Sequence, residues 1–161
     1  MFLKPDYLIA GDITDIDLDL LEQAGIKGLI LDLDSTLIAP HSAFISNQAL
    51  AWLNLARKKF HVAVASNNKN EVYLDKVREL LNIRIVGKAK KPSRKAFHRL
   101  MEEFGLKAEQ IAVIGDRPLT DIWGGRRAGM KTILVGTLHT MNEPAWKTKM
   151  RLLERVFIRP N

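Results

Sequence analysis

Short apolar runs of β-rich composition alternate along this chain with longer segments in which apolar residues recur every three or four positions. The runs are Gly28–Leu33 (GLILDL), His61–Ala65 (HVAVA), Arg84–Val86 (RIV), Gln110–Ile114 (QIAVI) and Lys131–Val135 (KTILV). Helical periodicity covers about residues 46–59, 70–81, 93–105 and 119–128, with a further segment near 15–24 and a C-terminal one at about 144–158. Strands alternating with helices of this length predict a parallel sheet with crossover helices. The expected fold is α/β: a doubly wound, Rossmann-like three-layer sandwich. No internal repeat, low-complexity tract or linker interrupts it, so the 161 residues are expected to form one domain.

In a doubly wound sheet the ligand sits beyond the carboxyl ends of the strands. Four of the predicted strand ends carry polar chemistry: Asp32-Leu33-Asp34-Ser35-Thr36, then Ser66-Asn67-Asn68, then Lys90-Lys91-Pro92, then Gly115-Asp116-Arg117-Pro118-Leu119-Thr120-Asp121. The first is the costly one, because two aspartates one residue apart interrupt an apolar run. A buried carboxylate without a partner shifts its pKa or finds a cation.

Composition narrows the chemistry. With 47% hydrophobic and 27% charged residues the chain is that of an ordered globular protein. It has no cysteine, which removes disulfides, thiolate nucleophiles and thiolate metal sites, and fits a reducing cytoplasm. The N-terminal sequence lacks the apolar core of a signal peptide, and no stretch approaches the roughly 20 apolar residues of a membrane span. A soluble or peripheral protein is expected.

The formal net charge of +7 is unevenly placed. From Arg84 to Arg99 (RIVGKAKKPSRKAFHR) there are seven positive residues and no acid, so this window alone equals the net charge. Five further lysines and arginines between Lys147 and Arg159 face only Glu154. An anionic partner is expected: a phosphate ester, a nucleic acid or an acidic membrane surface.

Four carboxylates on one sheet edge repel unless a cation holds them, and a hard divalent ion with oxygen ligands, Mg²⁺ in particular, suits the set. A zinc site lacks its cysteines and paired histidines. A carboxylate is also a competent nucleophile towards phosphorus, and phosphoryl transfer asks mainly for positioning and charge neutralisation, which a metal and a lysine supply. Other readings exist for single residues. Ser66-Asn67-Asn68 is good turn chemistry before a helix, Asp121 would stabilise a helix N-terminus, and Lys90 competes with Lys91 for the lysine role.

The ordered set Asp-x-Asp-x-Thr, a hydroxyl residue, a lysine before a helix and Gly-Asp-x-x-x-x-Asp resembles the haloacid dehalogenase (HAD) superfamily of phosphohydrolases over most of residues 28–136. That resemblance implies Asp32 as nucleophile and Mg²⁺ ligand, and Asp34 as general acid/base with its backbone carbonyl on the metal. Thr36 would brace the loop. Ser66 and the Asn67 amide would hold phosphoryl oxygens, with Lys91 neutralising nucleophile and phosphate. Asp116 would ligate Mg²⁺ directly, and Asp121 would act on it through water or from behind.

HAD enzymes commonly carry a cap domain after the first motif or between the second and third. Here Thr36 is followed within about ten residues by the next helix, and the span from Asn68 to Lys91 has room for one helix and one short strand. No cap domain is expected, and an open site suits a phosphate carried on something large. FLKPDYLI, GIKGLILDLDSTL and GDRPLTDIWGGRRAGMKTILV resemble the capless HAD subfamily IIIA proteins of phosphatidylglycerophosphatase type. The resemblance implies removal of the terminal phosphate of phosphatidylglycerophosphate to yield phosphatidylglycerol. A cytoplasmic protein, free or peripheral at the inner face of the membrane, is expected. Ser35 and Arg117 depart from that pattern, and Arg117 bears on substrate preference. The C-terminal PAWKTKMRLLERVFIRP sets Trp146, Met150, Leu153 and Phe157 on one helical face, read either as a helix packed on the core or as one lying on lipid. The competing functions are a phosphatase for a soluble metabolite or a nucleic-acid end, and a non-catalytic binding module of the same fold.

Overall fold

The computed structural model describes residues 3–138 together with 145, 146, 149, 150 and 153. Six strands form one parallel sheet: β1 (Tyr7–Leu8), β2 (Gly28–Leu31), β3 (His61–Ala65), β4 (Arg84–Val86), β5 (Ile111–Gly115) and β6 (Lys131–Leu134), in spatial order β1-β6-β5-β2-β3-β4. The helices are α1 (Leu18–Gln23), α2 (Asn47–Lys59), α3 (Glu71–Leu81), α4 (Lys95–Phe104) and α5 (Trp123–Arg127).

Alternation along β2 builds the three layers. Leu29 and Leu31 point into a core formed with α1, α2 and α3, where Leu21, Trp52, Leu53, Leu74 and Val77 are buried. Ile30 points the other way, into a second core with Phe97 and Leu100 of α4, together with Val113 and Met130. A strand buried on both faces needs apolar residues at every position, which is why GLIL reads as a continuous run rather than an alternating one.

The winding reverses at β2. From β2 the chain runs outward through β3 to β4, then returns along α4 to place β5 on the other side of β2 and β6 beyond it. The crevice at such a switch point is where ligands bind. Leu31 pairs with Ile114, so the loops carrying Asp32 and Asp116 leave the sheet side by side.

The structure departs from the sequence expectation in local detail. β1 is an added edge strand of two exposed residues, too short to show a period. β2 stops at Leu31 rather than Leu33: the Asp32 N–H still donates to the Ile114 carbonyl at 2.8 Å, after which the Leu33 carbonyl accepts from Thr36, Leu37 and Ile38 and folds the chain into a tight loop. The helix expected at 15–24 begins only after Asp17, whose carboxylate caps α1 through the Asp19 and Leu20 amides, behind a single 3₁₀ turn at Ile13–Asp15. The helix expected at 119–128 opens as a π-helical turn over Pro118–Ile122. Between β2 and α2 lie only residues 32–46, and between β3 and Lys91 only α3 and β4, so neither position holds an inserted cap. Most of the C-terminal helix expected at 144–158 lies outside the described residues. Those described within it, 145, 146, 149, 150 and 153, are helical and exposed.

Candidate active site

Four loops from three neighbouring strands and the β4–α4 connection converge above the switch point. Asp32, Asp116 and Asp121 each offer a carboxylate oxygen within 4.8 Å of the others. Lys91 bridges two of them, with Nζ 2.7 Å from Asp32 Oδ1 and 2.6 Å from Asp121 Oδ1. Lys91, Asp116 and Asp121 are buried, while Asp32 keeps a partly open face. Of the adjacent lysines, Lys90 is exposed at φ 54° and Lys91 points inward.

The backbone explains how the acids come so close. Asp121 lies in the π-helical turn, and its second carboxylate oxygen accepts from the Arg117 N–H at 3.2 Å. A π-turn widens the helix locally and is often found at functional sites. Gly115 makes the approach possible, because a Cβ there would overlap the Asp121 carboxyl group. Asn67 holds the lysine loop from the side: its Oδ1 accepts from the Lys91 N–H at 2.7 Å and its Nδ2 donates to the Lys91 carbonyl at 3.1 Å.

Thr36 Oγ1 lies 3.0 Å from Asp32 Oδ2 and 3.2 Å from Asp116 Oδ1, so its hydroxyl links the β2 and β5 loops. Ser66 is buried at the end of β3, its hydroxyl accepting from the Asn68 N–H at 3.1 Å. The Asp34 carboxylate turns away from the three clustered acids towards α3, where it accepts from Tyr73 OH at 2.9 Å and Asn68 Nδ2 at 3.1 Å. Asp34 therefore adds no carboxylate oxygen to the cluster.

Several partners were not evident from the motifs. Tyr73 and Asn68 orient Asp34, and the Thr137 hydroxyl, just past β6, donates to Asp116 Oδ2 at 3.1 Å. A tyrosine on the apolar face of α3 was the available signal, since a buried phenol needs a hydrogen-bond partner. For Thr137 the signal is its place just past a predicted strand, at the same sheet edge as the acids.

Burial disfavours charge on Lys91, but the Asp121 and Asp32 carboxylates outweigh it and hold the ammonium charged above the ordinary lysine range. Two acids share this one cation. Burial and the nearby Asp32 charge consequently push Asp121 up to about 6, against the pull of Lys91. Burial and the Asp34 charge also raise Tyr73, which stays a proton donor. Hard oxygen donors, an excess of negative charge, and no imidazole or thiolate among the clustered groups fit a small divalent cation held by Asp32, Asp116 and Asp121.

A cavity of about 410 Å³ opens above Asp32 and Lys91. Asp34, Ser66, Asn67 and Asn68 line its floor side, Lys69, His41, Arg117 and Thr120 contribute polar wall, and Trp146 and Met150 contribute apolar wall. All nine residues expected from the sequence lie at this sheet edge, but Thr36, Asp116 and Asp121 stand behind the cavity rather than in its wall.

A family model described as HAD-hydrolase-like matches residues 88–151. The Bacillus subtilis protein named "Probable phosphatase YqeG" is 37% identical over 135 residues, covering 83% of this chain and 77% of its own. Phosphatidylglycerophosphate phosphatase 1 of Arabidopsis thaliana is 31% identical over 98% of this chain, and its counterpart in Chlamydomonas reinhardtii is 30% identical over 94%. The chain spans 48% and 60% of those two proteins' lengths. Among solved structures, a HAD-superfamily hydrolase of Geobacter sulfurreducens has a TM-score of 0.53 at 12% identity, covering 83% of this chain and 97% of its own. A HAD-like protein of Mesorhizobium loti has a TM-score of 0.57 at 16% identity, over 84% and 89%. At those identities the solved structures speak for the fold, while the identity to YqeG over most of both chains speaks for descent: this chain belongs to the HAD-like phosphatase family.

Proposed function

We propose that this phosphatase is a Mg²⁺-dependent phosphomonoesterase working through an aspartyl-phosphate on Asp32, that residues 1–161 act as one catalytic unit, and that its substrate is phosphatidylglycerophosphate. The observation that carries the chemistry is the Lys91 bridge. An ammonium 2.7 Å from Asp32 stands beside the attacking oxygen, where an incoming phosphoryl group needs positive charge. In the first step an Asp32 oxygen bonds to phosphorus and the bond to the leaving alkoxide breaks, with Asp34 giving that oxygen a proton. Water then attacks phosphorus, Asp34 takes its proton, and the bond to Asp32 breaks to release inorganic phosphate.

Ser66 and the Asn67 amide hold phosphoryl oxygens in this scheme, Thr36 holds the loop, and Arg117 on the cavity wall contacts the rest of the substrate. Mg²⁺, held by Asp32, Asp116, Asp121 and the Asp34 carbonyl, would screen the phosphate charge as the nucleophile approaches. Support for the lipid comes from the names of the plant and algal relatives, the absence of an inserted cap and the basic surroundings of Lys91. A soluble phosphorylated metabolite is the second reading, favoured by the polar wall of His41, Lys69 and Thr120.

The test is phosphate release from phosphatidylglycerophosphate in mixed micelles, with Mg²⁺ or with EDTA, by the native chain and by Asp32→Asn. Release that requires both the metal and Asp32 is expected. Asp32-dependent hydrolysis of an aryl phosphate with the lipid left intact would keep the chemistry and overturn the substrate.

A further inference from the structure

We infer that Trp146 and Met150 form an apolar lip on the active-site mouth that seats the glyceride portion of a phospholipid whose terminal phosphate lies at Lys91. The inference rests on the lipid reading above and names the residues that would select that substrate. The same cavity that exposes Asp32 and Lys91 at its polar end is walled by Trp146 and Met150. A helix packed on the core would bury its apolar face, yet Trp146 is 60% exposed, Met150 42% and Leu153 63%. Their spacing of four and then three residues suits one side of a helix.

Charge around this lip complements a phospholipid. Lys69 and Arg117 share the cavity wall, Lys149 is exposed between Trp146 and Met150 in the chain, and Lys88 and Lys90 are exposed on the loop that presents Lys91. A substrate with a phosphomonoester at one end, an anionic phosphodiester in the middle and acyl chains at the other meets, in that order, the acid–lysine cluster, the basic wall and the apolar lip. Tryptophan suits the last position because its ring is apolar while its N–H tolerates the wet head-group layer. A small soluble phosphate ester would leave the lip without a role. Neither of the two common insertion points holds a cap.

The experiment compares phosphatidylglycerophosphate in mixed micelles with the same head group stripped of its acyl chains, using the native chain, Trp146→Ala, Met150→Ala, the double variant and Trp146→Phe. The expected result is a fall of about tenfold or more in the ratio of kcat/KM for lipid over the deacylated substrate in the double variant, carried by KM, with Trp146→Phe close to native; tenfold corresponds to about 1.4 kcal/mol. An equal loss on both substrates would mean a structural role and overturn the inference. An unchanged ratio in a protein that does hydrolyse the lipid would overturn it while leaving the lipid reading intact. Hydrolysis of the deacylated substrate alone by the native chain would overturn both.

Discussion

Lys91 carries a charge that the interior would otherwise reject, and it is tolerated because Asp32 and Asp121 stand within 2.7 Å on either side. Removing one partner from such a buried set leaves the others uncompensated, which typically costs about 3–5 kcal/mol. Lys91→Met is expected to lower metal-free stability by an amount of this order in denaturant titration, in addition to abolishing turnover; a loss within 1 kcal/mol of native, on the same scale, would mean that solvent compensates the two acids. Tyr73 acts on a different residue. Its hydroxyl and the Asn68 amide grip the two oxygens of Asp34, so Tyr73→Phe frees one oxygen while leaving the ring in the core. If Asp34 is the acid and base, kcat should fall by about 10- to 100-fold with KM little changed. Equal kcat in the variant would remove Tyr73 from the positioning of Asp34.

Among the elements, the turn after β5 is the one whose geometry the site depends on most. A regular α-turn from Pro118 onward would carry Asp121 along a different path, whereas the π-turn lets its carboxylate reach both Lys91 and the Arg117 N–H. Gly115 leaves the volume that this carboxylate occupies, so Gly115→Ala must displace either the strand end or Asp121. The expected outcome is a loss of at least tenfold in activity together with weaker metal binding by calorimetry, in a protein that retains its far-ultraviolet spectrum. Retained metal affinity would place Asp121 outside the metal site. The β2 end tells the complementary story. The sequence pattern predicts a strand through Leu33, but the chain leaves the ladder after Asp32, and the Asp32 and Asp34 carboxylates diverge, one towards Lys91 and the other towards α3.

For the molecule as a whole, the buried acids couple stability to pH and metal. The folded state raises Asp121 from the ordinary 3.8 to about 6, so the fold favours its protonated form. That contribution is fully present below the unfolded value and is lost as pH rises through about 6. Lys91 is shifted upward as well, so its contribution persists below the ordinary lysine pKa and does not act in this window. Metal-free protein is therefore expected to lose thermal stability between about pH 4 and pH 6 relative to Asp121→Asn, and Mg²⁺ at pH 7 should restore it by binding the ionised acids. A melting temperature of the native chain that tracks Asp121→Asn across this range would show that Asp121 is already ionised in the fold.

Much of this was legible without coordinates, for identifiable reasons. Continuous apolar runs such as HVAVA and IAVIG can be buried on both faces only in a covered parallel sheet, and consecutive polar strand ends mark its functional edge. Asp32, Ser66, the Lys90-Lys91 pair and Asp116 could thus be placed at one edge from order and spacing, and Mg²⁺ could be expected from the excess of acid. Rotamers and loop paths could not, because they follow from contacts between residues far apart in the chain. Asp34 meets Tyr73 across 39 positions, and Thr36 meets Asp116 across 80. The placement of Trp146 and Met150 is of the same kind: the helical period does not say which surface they meet, and only the tertiary structure brings them to the wall of the cavity above Asp32 and Lys91.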